Sequence, residues 1–189
     1  MNKKHGFKDE TSGTLFFDIK QIICEKEPSI ILLENVKNLK SHNGKKTYKT
    51  IYNTLQNPKR GLKYIVTEKI IDGSKWVPQH RERIFILAVN KNFKDGIDKA
   101  VLDSVFPKGP SIKPPRLSDI LVNEPNEKYT LRLGTWQALK NHAARHKKKG
   151  NGFGYCKIDP PFHDKITRTL SARYYKDGAE ILLGNGLSM

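Results

Sequence analysis

Glu34-Asn35-Val36 follows directly on the apolar run Ser29-Ile30-Ile31-Leu32-Leu33. A carboxylate and an amide therefore stand where a buried strand ends, the place at which α/β folds present groups to a ligand. A strand-terminating glutamate that caps the next turn or pairs with a lysine has the same appearance. Gln79-His80-Arg81-Glu82-Arg83 leads into a second apolar run, Ile84-Phe85-Ile86-Leu87-Ala88-Val89. If the strand begins at Gln79, then Gln79, Arg81 and Arg83 point to one face, and two guanidiniums aimed together suit an anion or a carbonyl oxygen. A salt-bridged sheet edge in which Glu82 neutralises a neighbour gives the same pattern. The third stretch, Arg168 to Glu180, mixes cations, hydroxyls and aromatics, which suits contact with a phosphate backbone and equally an ordinary exposed loop and hairpin.

The elements that must hold these groups are legible as periodicities. Leu15, Phe16, Ile19, Ile22 and Ile23 recur at helical spacing, with Ser12 available as a cap and Pro28 closing the run, which predicts an amphipathic helix. The wholly apolar run 29–33 predicts a strand covered on both faces in a parallel sheet. A polar stretch through His42-Asn43-Gly44 leads to a helix carrying Tyr48, Ile51 and Leu55 on one face, then to a strand around Leu62 to Ile71 and a buried strand over Ile84–Val89. The order helix, strand, helix, strand, strand suits the back half of a doubly wound α/β domain. After Asn90 the texture changes to prolines, lysines and few apolar runs, which sets a boundary near residue 90. In this region Thr135 is the expected cap of one helix, Trp136 to Lys148. That helix ends in the basic run Arg145-His146-Lys147-Lys148-Lys149, followed by Gly150-Asn151-Gly152-Phe153-Gly154-Tyr155.

Composition narrows the partner. The 189 residues carry 35 Lys plus Arg against 19 Asp plus Glu, a net charge of +16, and such a surface attracts polyanions, nucleic acid first among them. Lysine-rich faces that are merely solvated are the alternative. No apolar run approaches the length of a membrane span and Met1 to Phe7 has no hydrophobic signal core, so a cytoplasmic location without membrane association is expected. Cys24 and Cys156 belong to no metal-type pair, so neither a disulfide framework nor a metal site is expected.

Together the three stretches resemble the bacterial DNA (cytosine-5)-methyltransferase family over nearly the whole chain. Gly13-Thr14-Leu15-Phe16-Phe17 is similar to that family's motif V, Glu34-Asn35-Val36 to its motif VI, Gln79-His80-Arg81-Glu82-Arg83 to its QxRxR motif VIII, and Arg168 to Glu180 to motif IX. The pattern from Lys147 to Tyr155 resembles the subgroup acting at CC(A/T)GG or related CCNGG sites. The resemblance implies a fold class: residues 1–90 form a partial, doubly wound (Rossmann-like) methyltransferase sheet. Residues 91–165 then form a smaller, irregular, mixed target-recognition domain, and 166–189 return to the catalytic domain. It also implies chemistry, in which a cytosine flipped out of duplex DNA takes a cysteine thiolate at C6 and then a methyl group at C5 from S-adenosylmethionine. Glu34 would hold the N3 and amino edge of that base and Arg83 its O2, with Arg81 in support. Asn35 and Gln79 would position the loops, and Leu15 would line the cofactor pocket. Arg168, Thr169 and Arg173 would order the recognition domain and meet DNA, as would Lys147, Lys148, Lys149 and Asn151.

The chain also departs from the family pattern. It contains no Pro-Cys nucleophile motif, no glycine-rich cofactor loop and no motif X; Cys24 and Cys156 stand in the wrong contexts to replace the nucleophile. The residues Asn2 to Phe7 resemble sequence normally found just after the cysteine loop. The chain is therefore expected to be inactive alone, with exposed apolar strand surface favouring self-association or a partner chain bearing the missing motifs. A non-catalytic, basic DNA-binding module is the competing expectation.

Overall fold

The computed structural model describes residues 15–93, 95–150, 154–170 and 181–184. Ser12, Gly13, Thr14, Asn151, Arg173 and the rest of 171–180 lie outside these described residues. The chain divides into two compact units, one of residues 1–72 and 82–108 and the other of 73–81 and 109–189.

The first unit opens with α1 (Leu15–Lys26), which ends where Glu27 turns to a positive φ of 46° and Pro28 follows. Its inward face consists of Ile23, fully buried, with Phe16 and Ile19 packed beside it. Leu15 and Ile22, expected on the same face, are exposed, because 3.6-residue spacing over a wide stripe lets only its centre reach the core. After β1 (Ile30–Val36) comes α2 (Lys46–Gln56), which buries Thr47, Ile51 and Leu55 at successive four-residue steps. The entry to α2 is a run of three positive-φ residues, Asn43, Gly44 and Lys45, a conformation that asparagine and glycine tolerate. Strands β2 (Tyr64–Asp72) and β3 (Glu82–Asn90) complete a sheet of order β1-β3-β2.

The expectation of a parallel sheet is corrected here, since β1 and β2 each pair antiparallel with β3. The two outer strands run the same way, linked through α2, and β3 lies between them in the opposite sense. An apolar run reports how a strand is covered, not which way its neighbours point. Coverage of β1 also differs from expectation: Ile31 is buried and Leu33 packs on the core, whereas Ile30 and Leu32 are 54% and 63% exposed. The alternation follows from β3. Ile84, Ile86 and Ala88 face a core with α1 and α2, and on the opposite face Leu87 and Val89, flanked by Phe85, join Leu102 and Phe106 of α3 (Lys99–Val105) or just after it. The first unit thus continues past residue 90 by one short helix.

The second unit carries α4 (Leu117–Ile120), α5 (Leu133–Lys148) and a parallel pair of short strands, β4 (Cys156–Ile158) and β5 (Ile181–Leu183). Thr135 is not the cap of α5. The helix starts three residues earlier than expected, at Leu133, Trp136 N–H already bonding to the Arg132 carbonyl, and no side chain caps it; exposed first-turn amides are satisfied by water. At the other end Gly150 takes a φ of 68° and its N–H bonds to the Lys147 carbonyl, the left-handed stop that glycine provides at low cost.

Just beyond β1, Lys40 pairs with Glu68 of β2 at 3.0 Å and Tyr48 of α2 bonds to the same carboxylate. Burial, then the bond to Glu68 and its charge, raise the Tyr48 phenol above its ordinary value of 10.0. Because the folded-state value is the higher one, the stabilisation is complete below the ordinary phenol value and declines as pH rises past it, where only the unfolded chain ionises. Urea titrations at neutral pH and at about pH 11 are expected to show the wild type losing its stability advantage over Tyr48→Phe at the higher pH; an advantage constant across that range contradicts the assignment.

Candidate functional site

Antiparallel register places Val36 opposite Arg83 and Glu34 opposite Phe85. Glu34 and Arg83 are therefore diagonal neighbours on one face of the sheet, within reach of long side chains. Arg83 Nε lies 2.8 Å from Glu34 Oε1, and Arg83 Nη1 donates to the Glu82 carbonyl at 2.8 Å. The guanidinium is largely covered, its side chain 18% exposed, while that of Glu34 stays 50% exposed. A fixed cation is thus paired with a carboxylate that still faces outward. The surrounding face is apolar and open, with Leu32 and Val36 exposed beside them. This pairing also satisfies the simpler expectation of a salt-bridged sheet, as does Lys37 with Glu82. A half-exposed pair contributes only about 0.2–1 kcal/mol, so it orients groups more than it holds the fold.

Asn35 turns its side chain back onto the backbone, Oδ1 accepting from Val36 N–H at 2.8 Å, which stiffens the end of β1. Gln79 and Arg81 are placed differently from the sequence expectation of three residues on one strand face. Strand β3 begins at Glu82, so both precede it, and both belong to the second unit. There Gln79 bridges Thr167, the Arg81 carbonyl accepts from Gly73 N–H at 3.0 Å, and His80 N–H bonds to the Thr167 carbonyl at 2.8 Å. Thr169 Oγ1 donates to the His80 carbonyl at 2.6 Å. Gln79 and His80 of the QxRxR segment and the start of the Arg168 run are therefore stitched together inside the second unit.

Arg168 Nη2 donates to the Gly154 carbonyl at 2.7 Å. Lys147, Lys148 and Lys149 are exposed at the end of α5, where cations also suit the negative pole of the helix. Beside them, burial and then the charges of His146 and Arg145 lower the His142 pKa, which favours its neutral form. Sequence reasoning missed Trp136, whose ring meets Tyr155 edge-on at 5.0 Å, and Lys140, which lies over the Trp136 ring at 5.3 Å. The one available signal was an aromatic in the first turn of an otherwise polar helix. Leu15, at the start of α1, is 63% exposed. Among the described residues no cluster of three or more His, Cys, Asp or Glu could hold a metal ion, and no helix is long and apolar enough to cross a membrane.

The C-5 cytosine-specific DNA methylase family matches residues 1–186, and the chain belongs to that family. It is 41% identical over 200 residues to the DNA-cytosine methyltransferase of Escherichia coli (strain K12), covering 100% of this chain and 41% of that protein. It is likewise 41% identical over 182 residues to the type II methyltransferase M1.ScrFI of Lactococcus lactis subsp. cremoris, covering 96% of this chain and 44% of that one. The chain thus spans less than half the length of these relatives. The fold is similar to that of the S. pombe Dnmt2 methyltransferase, with a TM-score of 0.50 and 18% identity over 84% of this chain and 45% of the other.

Because Glu34 is half exposed, Glu34→Gln is expected to shift unfolding free energy by less than about 1 kcal/mol in urea titration. A loss of several kcal/mol would instead make the pair a structural support.

Proposed function

We propose that this chain forms the base-recognition and target-recognition part of a DNA (cytosine-5)-methyltransferase, inactive until joined by a segment or chain carrying the Pro-Cys nucleophile. The observation that carries this reading is the Glu34–Arg83 pair on an open sheet face. A flipped cytosine offers a ring nitrogen and an amino group to a carboxylate and a carbonyl oxygen to a guanidinium. Arg83 suits O2, being permanently charged with donors fixed in a plane, while Glu34 faces the N3 and amino edge. As electron density enters the ring on thiolate addition at C6, a carboxyl group at N3 can offset it by giving a proton to N3. Asn35 stiffens the end of β1 at the pair; Gln79 and Arg81, which the family resemblance would make positioning and supporting residues, belong to the second unit.

S-adenosylmethionine would supply the methyl group when bound. Leu15 offers it an exposed apolar side chain. Residues 91–165 would serve as the target-recognition domain and 166–189 as the returning segment. Lys147, Lys148, Lys149 and Asn151 would contact double-stranded DNA with Arg168, Thr169 and Arg173. The Lys147 to Tyr155 pattern favours a CC(A/T)GG or CCNGG target.

Electrophoretic mobility shifts test this reading. A CC(A/T)GG duplex with an abasic or mismatched target position is compared with a scrambled duplex at several salt concentrations. Tighter binding to the specific, easily flipped duplex is expected. Equal binding to both, falling steeply with salt, would mean that the +16 charge alone is acting and would leave a non-catalytic basic DNA-binding module.

A further inference from the structure

Two consecutive residues beyond the basic end of α5 are held by two different parts of the second unit. Tyr155 is held by Trp136, whose ring it meets edge-on at 5.0 Å and 67°. Gly154 is held by Arg168, whose Nη2 donates to its carbonyl at 2.7 Å. The segment bearing Arg168 is itself fixed. Thr167 N–H bonds to the Pro78 carbonyl at 2.9 Å, Thr167 Oγ1 donates to the same oxygen, and Thr169 Oγ1 donates to the His80 carbonyl. On the helix side, Gly150 N–H is tied to the Lys147 carbonyl.

Charge and geometry are thus divided between different residues. Lys147, Lys148 and Lys149 supply exposed cations, which give affinity for any phosphate backbone but carry no sequence information. Reading base edges requires donors and acceptors held within about half an ångström by locked neighbours. The aromatic pair adds no charge, and the arginine has at least one donor committed to a main-chain carbonyl. Such a set contributes register beyond the attraction that the lysines supply.

Resting on the DNA-recognition reading above, we propose that Trp136, Tyr155 and Arg168 are positioning residues that lock Gly154 and Tyr155 against α5 and thereby set which DNA sequence the chain prefers. They govern discrimination between duplexes, while the lysines govern affinity for DNA as such.

The test measures affinities of the full chain for a specific and a scrambled duplex across salt, for the wild type and for Trp136→Ala, Trp136→Phe and Arg168→Lys. Circular dichroism checks that each variant is folded. Trp136→Ala and Arg168→Lys are expected to lower the specific-to-scrambled ratio about tenfold, the scale of one lost base contact, and Trp136→Ala to do so with the scrambled-duplex affinity and its salt slope unchanged. Trp136→Phe, which keeps an aromatic edge for Tyr155, is expected to restore most of the ratio. Arg168→Lys also separates positioning from phosphate contact. It keeps the charge and loses the fork, so retained discrimination in that variant overturns the assignment of Arg168. Retained discrimination in folded Trp136→Ala overturns the clamp. If the wild type itself shows no preference, the DNA-recognition reading fails and the proposal falls with it, whereas a wild-type preference shared by all variants defeats only the proposal.

Discussion

Strand β3 is the constraint on which the first unit depends. Ile84 and Ala88 are wholly buried and Ile86 nearly so, while Leu87 and Val89 on the reverse side anchor the cluster that includes Leu102 and Phe106. One strand therefore organises two cores, and its antiparallel pairing on both sides fixes the register of β1 and β2 together. A slip by one residue would exchange the two faces and move Arg83 to the side of the sheet opposite Glu34. Register is thus the link between packing and chemistry: the burial of Ile84 and Ile86 keeps Arg83 in line with Glu34.

Charge is handled differently in the two units. In the first, several cations at the sheet are paired, Arg83 with Glu34, Lys37 with Glu82 and Lys40 with Glu68, so the sheet carries directed groups. In the second, the end of α5 concentrates Arg145, Lys147, Lys148 and Lys149. A paired site selects by geometry and an unpaired basic patch attracts at a distance.

Much of this was legible because it is local. The run Ile84–Val89 marked β3, Tyr48, Ile51 and Leu55 marked α2, and Glu34 and Arg83 stood out by their place beside apolar runs. What depends on non-local pairing was not legible. Strand direction does not show in an apolar run, so the antiparallel insertion of β3 was missed, and the exposure of Ile30 and Leu32 follows from α3 covering that face of the sheet over β2 and β3 and not over β1. Thr135 looked like a cap because caps are recognised by residue type, yet the backbone closed its first bond at Arg132. The Trp136–Tyr155 contact bridges a helix and the chain beyond its glycine-rich end, and no spacing rule links them.

Methyl transfer tests the central claim most directly, namely that Glu34 and Arg83 receive the reacting base. The measurement is incorporation of labelled methyl groups from S-adenosylmethionine into a CC(A/T)GG duplex. The wild-type chain and Glu34→Ala are each joined to the parts of the Escherichia coli relative that lie outside the matched region. The wild-type combination is expected to methylate, and Glu34→Ala to lose about a hundredfold or more in rate while still binding the duplex. Equal rates for the two combinations would contradict the account.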